Sequence, residues 1–99
     1  LVERAGAWGM EAACVVTACG SVTRATLRLA NADRDNPNEI IELPPEGGPP
    51  TKYEVLSLVG TLGGGRCHLH VSLGDKDGRV VGGHLVGMQV FTTMEVVLA

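Results

Sequence analysis

Only a few residues separate the apolar segments in the second half of this chain. Residues 53–62, 67–73 and 80–86 are predicted strands, and residues 63–66 and 74–79 are all that lies between them. Parallel neighbours need a crossover of a dozen or more residues, whereas antiparallel neighbours need only a tight turn. These segments therefore predict consecutive hairpins in an antiparallel sheet.

The rest of the chain follows a similar pattern of apolar segments and turn-forming breaks. Residues 1–9 are typical of the last turns of a helix with no N-terminal cap, so we expect the helix to begin further upstream. A break at Gly20 and Ser21 is expected to separate two strands. Together these features predict a single α+β domain over residues 1–99, with a flanking helix and about six antiparallel strands. The strand segments are residues 13–18, 22–30, 39–43, 53–62, 67–73, 80–86 and 89–98.

Two of these segments differ in how their apolar residues are distributed. Residues 13–18 are almost entirely apolar, which is typical of a strand covered on both faces. Residues 22–30 alternate and predict a half-buried strand. Val22, Arg24 and Arg28 would lie on one face and Leu27 on the other.

Charge and composition argue against several classes of function. Eight Lys and Arg are outnumbered by eleven Asp and Glu, for a net charge of −3, so autonomous DNA binding is not expected. No apolar run approaches the ~18 residues of a membrane-spanning helix. Cys14, Cys19 and Cys67 are odd in number and lack metal-type spacing, which favours reduced thiols that pack as small apolar residues. We therefore expect an intracellular protein of unspecified compartment.

All three histidines occur in one predicted hairpin. His68 and His70 are two residues apart on a strand, so they share a face, and Cys67 points to the other. A three-residue turn with Gly78 in the left-handed position would place His84 opposite His70. A four-residue turn would place His84 on the opposite face of the sheet from His70, unless a bulge at Gly82 and Gly83 returned it to the same face.

Three converging neutral imidazoles would suit zinc or another divalent metal, with a fourth position left for water or a ligand. The alternative is three ordinary histidines on a sheet, because two histidines separated by one residue often occur by chance. Glu54 and Glu95 could act as general bases only if the fold placed them beside the histidines.

Several motifs resemble those of the plant and prokaryote conserved (PPC) domain family. They are GSV at residues 20–22, YEVLSLVGTL at 53–62, CHLHVSL at 67–73, GRVVGGHL at 78–85 and VFTTMEVV at 90–97. The combined pattern of glycines and histidines is specific, and the resemblance covers nearly the whole chain.

This resemblance implies a homotrimer of antiparallel sheets, each flanked by a helix, with the family's first strand and the start of its helix missing here. In prokaryotic-type members the positions of His68, His70 and His84 are those of a metal site, usually zinc. Plant members carry an AT-hook DNA-binding motif, and this chain has no Arg-Gly-Arg-Pro hook. In plant members, the segment that contacts other regulatory proteins includes the positions of Lys52, Tyr53, Glu54, Val55 and Leu56.

Two functions follow from the residues and the resemblance together. The first is a trimeric, zinc-binding interaction or regulatory domain from a family described as DNA-binding. The alternative is a small enzyme in which a metal held by three histidines activates water for attack on an unknown small substrate. Long aliphatic strands such as residues 89–98 favour self-association, because a chain this short has little else to cover them.

Overall fold

The computed structural model describes residues 1–32, 35 and 39–99. The predicted α+β class and antiparallel sheet are confirmed, but the described residues form five strands rather than about six. The elements are α1 (Val2–Ala7), β1 (Ala12–Arg28), β2 (Ile40–Leu43), β3 (Tyr53–Gly63), β4 (Arg66–Gly74) and β5 (Val80–Leu98).

The strands form a sheet that closes on itself. Its order is β2-β1-β3-β4-β5, every pairing is antiparallel, and β1 pairs with β5 as well. The 17 residues of β1 and the 19 residues of β5 make them long enough to bridge the ring. The core lies on the inner face of this ring, where Val22, Leu27 and Leu73 are fully buried.

Gly20 lies within β1 and does not end a strand. It pairs with Val55 on one side and with Met94 on the other. A Cβ atom at Gly20 would lie 2.5 Å from the carbonyl oxygen of Thr93 and 2.8 Å from the Cα of Met94. Glycine here allows β5 to approach closely. The predicted break is therefore wrong, because the glycine marks a contact between two strands.

The last two predicted strands are also continuous. Thr26 lies opposite Gly87 and Leu27 lies opposite Leu85, so Val86 is an extra residue in β5. Such a β-bulge bends a strand without ending it. The merging of both pairs reduces the seven predicted strand segments to the five strands of the structure.

The alternation predicted for residues 22–30 holds for most of that segment. Ala25 and Leu27 are buried, whereas Arg24 and Arg28 are exposed. Val22 is buried too, although alternation places it with the arginines. A register shift between Val22 and Arg24 changes the phase of the strand at this point.

The N-terminal part of β1 is covered on one face only within a single chain. Ala13 and Val15 are buried, but Val16 is 59% exposed. The prediction of a strand covered on both faces therefore does not hold for one copy of the chain.

Among the described residues, no helix has the length and apolar character needed to cross a membrane.

Candidate metal centre

The turn between β4 and β5 sets the register of the histidines. The backbone N–H of Asp75 donates to the carbonyl oxygen of Arg79 at 2.8 Å, and the N–H of Gly78 donates to the carbonyl of Asp75 at 3.1 Å. Gly78 has a φ of 81°, and the Asp75 carboxylate accepts a hydrogen bond from the Arg79 N–H at 2.8 Å. This is the three-residue turn with a left-handed glycine. As that turn predicts, His70 and His84 are direct partners across the two strands.

The three imidazole rings converge on one face of the β4–β5 hairpin. Their ring centroids are 5.1 Å apart for His68 and His70, 5.2 Å for His68 and His84, and 5.5 Å for His70 and His84. One ring nitrogen from each histidine lies within 4.8 Å of the others. In the described part of the chain, this is the one group of His, Cys, Asp or Glu side chains arranged closely enough to hold a metal ion.

The spacing of the His68 and His70 nitrogens matches what a metal requires of two of its ligands. The Nε2 atoms of His68 and His70 are 3.2 Å apart. Two nitrogens bound to one tetrahedral zinc at about 2.0–2.1 Å would be separated by about 3.3 Å. In metal-free protein the same separation allows a hydrogen bond between the rings, with one tautomer donating and the other accepting. The donor set of three imidazoles therefore fits a divalent metal, and His84, whose nitrogen lies within 4.8 Å of the other two, would complete the group.

The environment of His84 favours the neutral form that a metal requires. Partial burial lowers the pKa of His84, and the positive charge of Arg28 and the two neighbouring imidazoles lower that pKa further. His68 and His70 are exposed, and His84 is half-buried. The cluster thus opens to solvent, and a metal bound there would be accessible to a ligand.

Close packing of β3 against β4 supports the position of His68. Gly60 has a φ of 144°, a conformation that favours glycine. A Cβ atom at Gly60 would collide with the carbonyl oxygen of His68 and lie 2.9 Å from the Cα of Leu69. A larger residue at this position would force the strand that carries His68 and His70 away from β3.

The other candidate residues lie away from the cluster. Glu54 pairs with Gly74 at the far end of β4, and Glu95 pairs with Cys19. Neither carboxylate joins the histidine group. The three cysteines are unpaired, as predicted, but they are exposed rather than packed as small apolar residues.

The segment that resembles a protein-contact region is part of β3 and the residue before it. Tyr53 and Val55 are buried, each 6% exposed, whereas Lys52, Glu54 and Leu56 are exposed. Burial, together with the negative charge of Asp75, raises the pKa of Tyr53. Contacts with another protein through this segment would therefore use Lys52, Glu54 and Leu56.

Sequence reasoning did not identify Arg28 as a neighbour of the histidines. Arg28 pairs directly with His84 across β1 and β5. Alternation indicated that Arg28 is exposed, but no local signal shows that the end of β1 lies beside the start of β5.

Comparison with known proteins agrees with this architecture. The model of the Plants and Prokaryotes Conserved (PCC) domain, also called the PPC domain, matches residues 1–99. The chain belongs to this family. The resemblance found in the glycine and histidine motifs is thereby confirmed.

Curated proteins that contain a similar PCC domain are much longer than this chain. The bifunctional protein GlmU of Synechococcus sp. (strain JA-3-3Ab) is 40% identical over 91 residues, which are 91% of this chain and 13% of that protein. The chain therefore spans about an eighth of the length of that relative.

Solved structures share the PCC fold. A hypothetical protein from Salmonella enterica has a TM-score of 0.81 and 31% identity, with 98% of this chain and 63% of that chain covered. A metal-containing protein from Archaeoglobus fulgidus has a TM-score of 0.67 and 31% identity, with 97% and 64% covered.

Proposed function

We propose that this PCC domain is a trimeric metal-binding interaction module and that His68, His70 and His84 hold one zinc ion. The observation that carries the proposal is the 3.2 Å separation of the His68 and His70 nitrogens beside His84, within a group spanning 4.8 Å. The similarity to a metal-containing archaeal protein supports it. Zinc held by three imidazoles would link β4 to β5 and leave one coordination position for a ligand.

The surroundings of the histidines favour a binding module over a hydrolytic enzyme. Two clefts reach the histidines, one of about 330 Å³ at His70 and His84 and one of about 690 Å³ at His68, and neither is lined by Asp or Glu. Glu54 and Glu95, the candidate general bases, lie elsewhere in the sheet. A general base must come within hydrogen-bond reach of the proton that it removes, directly or through one water. Among the described residues, no carboxylate belongs to the histidine group.

Metal analysis of protein purified without chelator tests the site. We expect one zinc per chain, lost in a His84→Ala variant and retained in Thr61→Ala. Thr61 is an exposed residue that pairs with His68 but is no ligand, so it is a matched control. Zinc at a hundred times its dissociation constant should raise the free energy of unfolding of the wild type by about 2.7 kcal/mol. Protein that is metal-free and takes up no added zinc would contradict the proposal.

The shape of the chain supports self-association, and the number of three copies rests on the family resemblance. Its accessible surface is 6747 Å², whereas a compact monomer of this mass would expose about 5,400 Å². Its radius of gyration is 14.0 Å, compared with about 12.6 Å for a compact domain of this length. Much of the apolar surface lies on β5, where several large side chains are at least one-third exposed. They are Val80, Val86, Val90, Phe91 and Val97.

Sedimentation at micromolar concentration should therefore give the mass of three 10.3-kDa chains. A Val97→Glu variant is expected to shift the population toward monomers, because it places a charge on the apolar surface of β5. Lys76→Gln changes the net charge by the same amount in an exposed turn and should remain trimeric. A wild type that sediments as a stable monomer would disprove the trimer.

DNA binding by the domain alone is not part of the proposal. The net charge of −3 makes the long-range field unfavourable to a polyanion, although Arg24 and Arg28 are exposed on one strand. We expect no micromolar binding to duplex DNA at about physiological salt. Binding at that level, lost steeply as salt rises, would show a basic surface formed by assembly.

Contacts with regulatory proteins would use Lys52, Glu54 and Leu56.

A further inference from the structure

Arg28 is the cationic side chain closest in register to the histidine cluster. The sheet places Val59, His70, His84 and Arg28 in one row across four strands. Residues directly opposite each other in a sheet project to the same side. The guanidinium group of Arg28 therefore lies on the same face as the imidazoles.

The bulge at Val86 creates this alignment. Thr26 lies opposite Gly87, so an uninterrupted ladder would pair Arg28 with Leu85. The extra residue in β5 moves the register by one and pairs Arg28 with His84. Bulges commonly redirect side chains next to functional sites. The arginine thus reaches the cluster through a specific irregularity of the sheet.

Arg28, His70 and His84 line a common cleft of about 330 Å³. The rest of its lining is apolar or glycine and contributes no negative charge. Among the residues that the structure describes, no salt bridge joins Arg28 to a carboxylate. A guanidinium group is a strong, bidentate partner for carboxylate and phosphate oxygens. The guanidinium group of Arg28 therefore lines a cleft in which a carboxylate or a phosphate group could bind.

We propose that this cleft binds a small molecule through an oxyanion, either a carboxylate or a phosphate group, held by Arg28 beside the histidine cluster. The proposal rests on the proposed metal site, because the cation held by the histidines would add to the charge that attracts the anion. The volume of about 330 Å³ lies at the lower end of ligand pockets and suits a small ligand.

Titration calorimetry with acetate and with inorganic phosphate tests this proposal on zinc-loaded and metal-free protein. Zinc-loaded wild type should bind at least one of the two, and the tighter probe identifies the oxyanion. Arg28→Gln should weaken that binding about tenfold or more, as expected for the loss of a charge-assisted contact. Arg24→Gln should bind like the wild type, because Arg24 is exposed on the same strand but pairs with Gln89, away from the cluster.

The possible failures are distinguishable. Protein that takes up no zinc contradicts the metal site, and the metal-free titrations then still compare wild type with Arg28→Gln. Protein that takes up zinc but binds neither probe overturns the anion site alone. Equal affinities of the wild type and Arg28→Gln in zinc-loaded protein would also overturn it.

Discussion

A Gly60→Ala variant should lose stability and zinc affinity together. The new Cβ atom would overlap the carbonyl oxygen of His68, and alanine does not readily adopt a φ of 144°. The backbone strain and the forced separation of β3 from β4 should lower the free energy of unfolding by about 3 kcal/mol or more. His68 and His70 lie on the displaced strand. The folded fraction of the Gly60→Ala protein should therefore bind zinc more weakly than the wild type. Urea unfolding and zinc titration measure the two effects.

Gly87→Ala is the matched control for this substitution. Gly87 also lies in a strand, but a Cβ atom there would meet nothing within 4 Å, and its φ is not in the left-handed region. Its stability should therefore stay within about 0.5 kcal/mol of the wild type. Similar losses for the two variants would mean that the close approach of β3 and β4 does not depend on glycine.

A Leu73→Ala variant should be destabilised by about 2–5 kcal/mol, because truncating a fully buried leucine removes apolar contacts and leaves a cavity. Leu73 is 0% exposed and lies on β4, between the histidines and the turn that sets their register. The side chain of Leu73 faces the core. The variant therefore keeps all three histidines but loses core packing beneath the strand that carries His68 and His70. Thermal or urea unfolding gives the loss directly.

Leu56→Ala removes the same atoms from a side chain that is 54% exposed. Within one chain it should cost well under half as much as Leu73→Ala. If trimer contacts cover Leu56, its cost should grow with protein concentration, whereas the cost at Leu73 should not. If the two variants lost the same free energy of unfolding at every protein concentration, the assignment of Leu73 to the core would be contradicted.

The sequence predicted the part of the site that depends on local geometry. His68 and His70 share a face because strands alternate, and Gly78 allows the turn that brings His84 opposite His70. Sequence reasoning failed where distant strands meet. Gly20 was interpreted as a break between strands. The glycine is needed there because Thr93 and Met94 pass close to it, and these residues are distant in sequence. Arg28 was missed for the same reason, since its position depends on the β1–β5 pairing and on the bulge at Val86.

The pairing of β1 with β5 also has a consequence for synthesis of the protein. Within this domain β1 is translated before the other strands, but the strand that covers one of its edges is β5, at Val80–Leu98, which follows them all. Until β5 leaves the ribosome, the nascent chain carries a 17-residue strand with an open edge. Unpaired edges of this kind are where growing chains aggregate or pair with the wrong partner. Closure of the ring must therefore follow translation of β5, and the hairpin that carries the histidines can form before β1 brings Arg28 beside His84.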